Sequence, residues 1–350
     1  MLKPHIQAIV EGQTLDRGDA RQAMEIIMNG EASPAQIGSL LTALRMRGET
    51  DEELAGFAEV MRAKAVIVPL DTHEAVVDTC GTGGDGSHTF NISTTAAFVV
   101  AGAGVKVAKH GNRAMTSRCG SADVLEALGV RIELAPEQVA ECVERAGIGF
   151  MYAPAFHPAM RFAGPVRREI GVRTVFNLLG PLVNPAGARH QVIGVPSADA
   201  ASRLARVLGM LGSQHALVVH AHEGLDELGV AGPSTIAEML MRESAWVTAY
   251  EVTPEQYGLS RHEREAVRGG SVSENVSIVH SILGGEQGAR RDIVLLNAAA
   301  ALYAANAVPN ITAGIQIAAE SIDSGEARGR LEALVSLTER MGAGAEQAVA

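Results

Sequence analysis

Aromatic side chains are scarce in this sequence, 3% of 350 residues. A surface that binds nucleic acid by stacking bases needs rows of them, so that class is disfavoured. Positive charge is also short. Lysine and arginine number 29 against 40 aspartates and glutamates, a formal net charge of −11. Nonspecific adhesion to nucleic acid or to an anionic membrane is disfavoured in turn. The three cysteines, Cys80, Cys119 and Cys142, have no metal-type spacing. Their odd number reads as free thiols in a reducing compartment. Long apolar runs are missing as well. The longest, residues 96–105, contains two glycines and is about half a membrane span. The opening MLKPHIQAIVEGQ has neither the apolar core nor the small-residue cleavage site of a secretory signal. No internal repeat or low-complexity segment is present. The expectation is a soluble, cytoplasmic protein that uses neither membrane nor nucleic acid.

What is there is a 47% hydrophobic chain of the length of two domains or one large α/β domain. The first ~70 residues read as purely helical. Ser33, Pro34 and Gln36 supply an N-cap, a first-turn proline and a capping-box glutamine. Thr50 to Glu53 repeats that logic, with acids in the first turn. Ile37, Leu40, Leu41 and Leu44 fall at i, i+3, i+4 and i+7, one apolar stripe. From about residue 75 short apolar runs alternate with amphipathic helices. AVVDTC and VKVAKHG read as strands, SADVLEALG as a helix, VRIEL as a strand and PEQVAECVERAG as a helix. A helix over SADAASRLARVLGMLG precedes the strand HALVVH; SAWVTAYEVTPEQYGL reads as strands and RDIVLLNAAAALYAAN as a long buried helix. This is the alternation of an α/β fold with a mainly parallel sheet. Residues 156–187, dense in Arg, Pro and Gly, look like a crossing between domains.

The stretch DTCGTGGDGSHTFNIS, residues 78–93, is a strand end, a glycine-rich turn and a helix start. Such a turn aims backbone N–H groups at phosphate. It is neither a Walker A loop nor a dinucleotide fingerprint, and a glycine-rich turn without a ligand is the plain alternative. Asn91, Ser93 and Thr94 follow at once; a helix cap accounts for one of them. The charged residues of the next block are all basic: Lys106, Lys109, Arg113 and Arg118, with His110 among them. That suits several phosphate charges, or a solvated basic loop. A second basic set, Arg161, Arg167, Arg168 and Arg173, suits carboxylate capture or surface pairing. Asp226 and Glu227 sit side by side in HAHEGLDELG after a strand, where α/β folds place ligands. The pair suits Mg²⁺. His220 and His222 raise zinc, but a third compact ligand is lacking. Together these features describe a Mg-dependent enzyme for a polyphosphorylated substrate. Phosphoryl transfer and displacement of pyrophosphate at a sugar carbon both remain open.

Five blocks in order, GTGGDG…FNIST, KHGNRAMTSRCGSADVLEALG, HPAMRFAGPVRREIGVRTVFNLLGPLVNPA, HEGLDELG and RDIVLLNAAAALY, resemble the anthranilate phosphoribosyltransferase family of tryptophan biosynthesis. The N-terminal GEASPAQIGSLLTALRMRGET extends the resemblance over essentially the whole chain. It implies a nucleoside-phosphorylase-like α/β fold. A helical domain over 1–70, joined by helices from about 160–185, would accompany a catalytic domain over 71–350. It implies a homodimer and a pentosyltransferase reaction: phosphoribosyl pyrophosphate plus anthranilate gives N-(5-phosphoribosyl)anthranilate and pyrophosphate. Gly81, Gly84, Asp85 and Thr89 would hold the pyrophosphate side, and Asn91, Ile92, Ser93 and Thr94 would line the phosphates. Lys109, His110, Gly111, Asn112, Arg113, Ser117 and Ser121 would close over the phosphoribosyl group. Gly81, Asn112, His157 and Arg167 would line the anthranilate path, Arg167 meeting its carboxylate. Ser93, Asp226 and Glu227 would hold two Mg²⁺ per active site, with Lys109, Asp226 and Glu227 as the catalytic set. Association with a separate anthranilate synthase subunit stays open. The alternatives are a pyrimidine nucleoside phosphorylase-like enzyme and a non-enzymatic nucleic-acid-binding relative of the same fold.

Overall fold

The computed structural model describes residues 2–70, 75–114 and 118–349, the side chains of 343–349 excepted. Four helices open the chain: Lys3–Val10, Arg17–Met28, Pro34–Arg47 and Asp51–Ala63. Their starts follow from local chemistry. Asp16 accepts from the Asp19 N–H, and Ser33/Gln36 and Thr50/Glu53 close full capping boxes. Each such cap contributes about 1 kcal/mol. Glu53 does more than cap. Its buried carboxylate also accepts from the Leu15 N–H at 2.8 Å and pairs with Arg47. Ile37, Leu40, Leu41 and Leu44 are all buried, as their spacing predicts. Truncating one of these leucines to alanine would cost about 2–5 kcal/mol.

The larger part is built on one sheet of seven strands: β1 Val76–Asp78, β2 Lys106–Gly111, β3 Ile148–Tyr152, β4 His190–Gly194, β5 His215–Ala221, β6 Ser234–Met241 and β7 Ala245–Val252. Their order is β3-β2-β1-β4-β5-β6-β7. The first five are parallel; β6 and β7 add an antiparallel edge. Both faces are covered, which is why β5 reads as a continuous apolar run. Its residues alternate: Leu217, Val219 and Ala221 join one core, Ala216 and Val218 the other. The first core packs the helices Ile92–Gly102, Pro136–Ala146 and Ala289–Ala304 onto the sheet. The second packs the helix Ala198–Met210, the four N-terminal helices, and Ala163, Val166, Val175, Phe176 and Leu179 from the crossing segment. That segment is a series of short turns and helices, including Gly164–Ile170 and Phe176–Leu179. No helix among the described residues is long and apolar enough to cross a membrane.

Two expectations fail locally. VRIEL forms no strand. Val130, Ile132 and Leu134 are buried in alternation, but the backbone of Arg131 bonds to the Thr338 hydroxyl of the C-terminal helix instead of a sheet neighbour. The period-2 signal therefore reports burial, not pairing. In SAWVTAYEVTPEQYGL, β7 ends at Val252, and Pro254–Tyr257 is a short 3-10 turn. The strands β3 and β4 carry no signal that the sequence reading picked out.

Candidate active site

Strand order reverses around β1, whose neighbours are β2 and β4. A crevice opens at the C-terminal ends of strands at such a switch point. Three segments meet there: the glycine loop after β1, the end of β4, and the loop after β5. Asp78, the last residue of β1, is buried; it accepts from Asn184 Nδ2 at 2.7 Å and from the His110 N–H at 3.2 Å. Burial pushes its carboxyl up to about 6, against the pull of nearby Lys109.

The glycine loop is tied to β4 by the Thr82 N–H, which donates to Gly194 O at 2.9 Å. Gly83, Gly84 and Gly86 have φ of 64°, 73° and 71°, a region strained for residues with a Cβ. Gly194 is required by proximity: a Cβ there would lie 1.5 Å from Asp226 O. Below the loop, buried Lys109 donates to Thr79 O at 2.8 Å, Thr79 Oγ1 at 3.1 Å and Ser93 Oγ at 3.3 Å. The Ser93 N–H, in the first turn of the helix, donates to Glu227 Oε1 at 3.1 Å. The Asp226 N–H donates to Asp85 Oδ2 at 3.2 Å. Thr79, Gly81, Ser93, Val192, Gly194, Glu227 and Asn297 line one small cavity. Asn297 holds the carboxylate loop from below, pairing both ways with the Leu228 backbone at 3.0 and 2.9 Å.

Desolvation, then the charge of Asp85, holds the Asp226 carboxyl well above the ordinary range. Desolvation and Asp226 do the same to Glu227. A divalent cation would relieve both. Among the described residues no group of three or more His, Cys, Asp or Glu side chains forms a metal cage. A cation on this pair would draw its other ligands from hydroxyl, water and substrate oxygens, the usual manner of Mg²⁺. Neither histidine of HAHEG joins in: His220 Nδ1 meets Val195 O at 3.1 Å and His222 Nε2 meets Thr235 Oγ1 at 2.9 Å.

A second group of polar residues is left open. His110 and His157 are buried with ring centroids 5.0 Å apart. Burial, and for His110 also the neighbouring ring, lowers them to about 3 and about 4, so both are neutral at pH 7. His110 Nδ1 lies 3.2 Å from Gly180 O and therefore carries the proton. Its Nε2, like that of His157, is buried with no partner. Arg167 is partly buried, which lowers its pKa, and lies over the Phe176 ring at 5.1 Å. It has no carboxylate partner among the described residues. Arg168 is exposed.

The remaining sequence-derived candidates fall as follows. Gly81 and Gly84 lie in the loop, and Thr89 borders a second cavity with His88, Arg118, Arg268 and Asn275. Asn91 stands at the helix N-cap but does not cap it. Its amide donates to Cys119 O at 3.2 Å and accepts from Asn275 Nδ2 at 3.1 Å. Ile92 and Thr94 are buried in the first turn of that helix. Gly111 ends β2. Asn112 O accepts from Ser121 Oγ at 3.3 Å. Arg113 turns to Asp123 and Glu126, at 3.2 and 2.8 Å, and Lys106 pairs with Glu144. The basic block thus divides, and of its lysines and arginines only Lys109 meets Ser93 and Thr79. Ser117 lies outside the described residues. Asp78, Thr79, Asn184 and Asn297 were missed; only Asp78 and Thr79 carried a signal, their place at a strand end before the loop.

A family of glycosyl transferases matches twice, by its helical bundle domain over residues 3–65 and by its a/b domain over residues 73–328. The anthranilate phosphoribosyltransferase of Chloroflexus aggregans is 59% identical over 338 residues, 96% of this chain and 98% of that protein. The crystal structure of anthranilate phosphoribosyltransferase from Thermus thermophilus superposes with a TM-score of 0.89 at 44% identity, covering 95% of this chain and 99% of that one. The Saccharomyces cerevisiae enzyme, in complex with PRPP and Mg, gives 0.88 at 28% identity over 97% and 98%. Another structure of the yeast enzyme, with 4-fluoroanthranilate, gives 0.82 at 28% identity over 93% and 94%. The chain belongs to the anthranilate phosphoribosyltransferase family.

Proposed function

We propose that this chain transfers the phosphoribosyl group of phosphoribosyl pyrophosphate to the amine of anthranilate, releasing pyrophosphate. The observation that carries the reading is the convergence of Lys109, Ser93, Asp226 and Glu227, from three segments, beneath a loop with three positive-φ glycines. The yeast relative's complexes with PRPP and Mg and with 4-fluoroanthranilate support it. The two alternatives left by the sequence gain no support from the comparisons.

Departure of pyrophosphate leaves an oxocarbenium-like ribose and gathers negative charge on the leaving oxygens. Lys109 and the loop N–H groups act where that charge grows, so they favour the transition state over the ground state. Asp226, Glu227 and the Ser93 hydroxyl would hold Mg²⁺, two ions per site in this proposal. When bound, the metal supplies further positive charge to the departing group. Anthranilate's amine is neutral at pH 7 and needs positioning more than activation. Arg167 would grip its carboxylate with a planar fork of donors. His110 and His157 are neutral and present free Nε2 atoms as hydrogen-bond acceptors, but the burial that lowers their pKa values makes them weak bases for the amine proton. We also propose a cytoplasmic homodimer; Val10 and Met46, 68% and 83% exposed on two N-terminal helices, suit a partner surface there. The packing of the crossing segment against those helices supports a helical domain of 1–70 plus about 160–185.

The test is loss of anthranilate fluorescence on mixing protein, phosphoribosyl pyrophosphate and Mg²⁺, with an EDTA control. Rapid, EDTA-sensitive loss is expected. No loss in folded protein would overturn the reading.

A further inference from the structure

A loop that binds an anion must present N–H groups and withdraw its carbonyls. A Gly-Gly pair does not do so unaided, because glycine occupies either sign of φ with similar ease and its peptide planes flip readily. Gly83 and Gly84 are such a pair, and an arginine from far along the chain braces them. Arg173 Nη1 donates to Gly83 O and to Gly84 O, both at 2.9 Å. No carboxylate partner of Arg173 is found among the described residues, and its Nη2 is buried without a partner. The guanidinium is therefore committed to two carbonyl oxygens rather than to an ion pair.

We propose that Arg173 is a positioning residue. It turns the Gly83 and Gly84 carbonyls away from the anion. The inference rests on the functional reading above for the identity of the anion, a pyrophosphate group. It adds a link between substrates. Arg173 lies just beyond the helix Gly164–Ile170, which carries Arg167. The segment offered to the acceptor's carboxylate thus also sets the backbone offered to the donor's phosphates. Both bonds come from the one Nη1 nitrogen; a lysine ammonium also has donors for two carbonyls, but its more flexible stem holds them less firmly.

The experiment uses Arg173→Ala, Arg173→Lys and, as a control from the same segment, Arg161→Ala. Amide hydrogen exchange is followed in the ligand-free protein, and binding of Mg²⁺ plus pyrophosphate is followed by calorimetry. Exchange over residues 81–87 is expected to rise at least about tenfold in Arg173→Ala, to rise less in Arg173→Lys, and to stay unchanged in Arg161→Ala. Pyrophosphate affinity should fall by a similar factor, and millimolar guanidinium should restore part of it in Arg173→Ala alone. Unchanged exchange at 81–87 overturns the proposal. So does a rise that spreads equally to the helix Ala198–Met210, which would mark general loosening. If Arg173→Ala does not fold, Arg173→Met, which keeps an unbranched stem and removes the donors, decides by the same exchange criterion. If the wild type fails to consume anthranilate, the functional reading falls, while the exchange result still judges Arg173.

Discussion

The two halves of the cleft treat their polar groups in opposite ways. On the pyrophosphate side nearly every group is already bonded. Lys109 reaches Thr79 and Ser93, Ser93 reaches Glu227, and Asp226 reaches Asp85. On the acceptor side His110 Nε2 and His157 Nε2 are buried with no partner, and Arg167 has no acid among the described residues. A buried polar atom without a partner costs about 1–3 kcal/mol. A site that tolerates two such atoms on neighbouring rings, with partly buried Arg167 ten residues beyond His157, suits a ligand that satisfies them. The bonded half is different: its order is set before any ligand arrives, as a site acting on developing charge requires. In the proposed reading one half is preorganised and the other is completed by its substrate.

The sharpest way to break the comparison is Glu227→Gln. It removes a charge from the preorganised half while keeping the Ser93 N–H acceptor. Mg-dependent turnover should fall at least about a hundredfold, with the thermal midpoint held or raised because a poorly solvated charge is gone. Near wild-type rates would remove the metal assignment. Arg167→Ala strikes the other half. The anthranilate KM should rise about 10- to 100-fold, the worth of a charge-assisted hydrogen bond, while the KM for phosphoribosyl pyrophosphate changes less than about threefold. Equal changes would mean the two halves are not separable.

Acid sharpens the contrast through the histidines. Their folded values, about 3 and about 4, lie below the ordinary 6.5. Between these limits the unfolded chain binds more protons, so stability falls as pH drops through 6.5, by up to about 1.4 kcal/mol per pH unit and group. His157→Gln should flatten the decline of the thermal midpoint between pH 7 and 4.5; an unchanged slope would show that the ring is not buried neutral. The smallest effect is expected from the thiols. Burial pushes Cys80 and Cys119 up, and Cys142 up to about 12, so none is a thiolate at pH 7. Changing all three to serine should leave turnover within about threefold, and a complete loss would reveal a chemical role.

Much of this was legible in the order of residues. Ser33/Gln36 and Thr50/Glu53 announced two helix starts, because a cap and its donors lie within four positions. The glycine loop and Asp226–Glu227 were legible for the same reason: each is local. Arg113 was not. Its neighbours in sequence are basic, but its partners Asp123 and Glu126 lie ten and thirteen residues on, brought up by the turn of a helix. Asp78 and Asn184, 106 residues apart, meet only across the core. Asn91 has the residue type of a cap, but it does not cap its helix; its amide bonds to Cys119 and Asn275.

By itself, then, the sequence determined the helical starts, the α/β alternation, the anion loop and the family blocks, because backbone geometry and capping depend on neighbours a few residues away. Only the tertiary structure decided which cation faces the cleft, which imidazoles lose their charge, and which arginine braces the glycine pair. Those outcomes depend on burial and on contacts between distant segments. Desolvation and hydrogen bonding act over a few ångströms in space, whatever the separation along the chain.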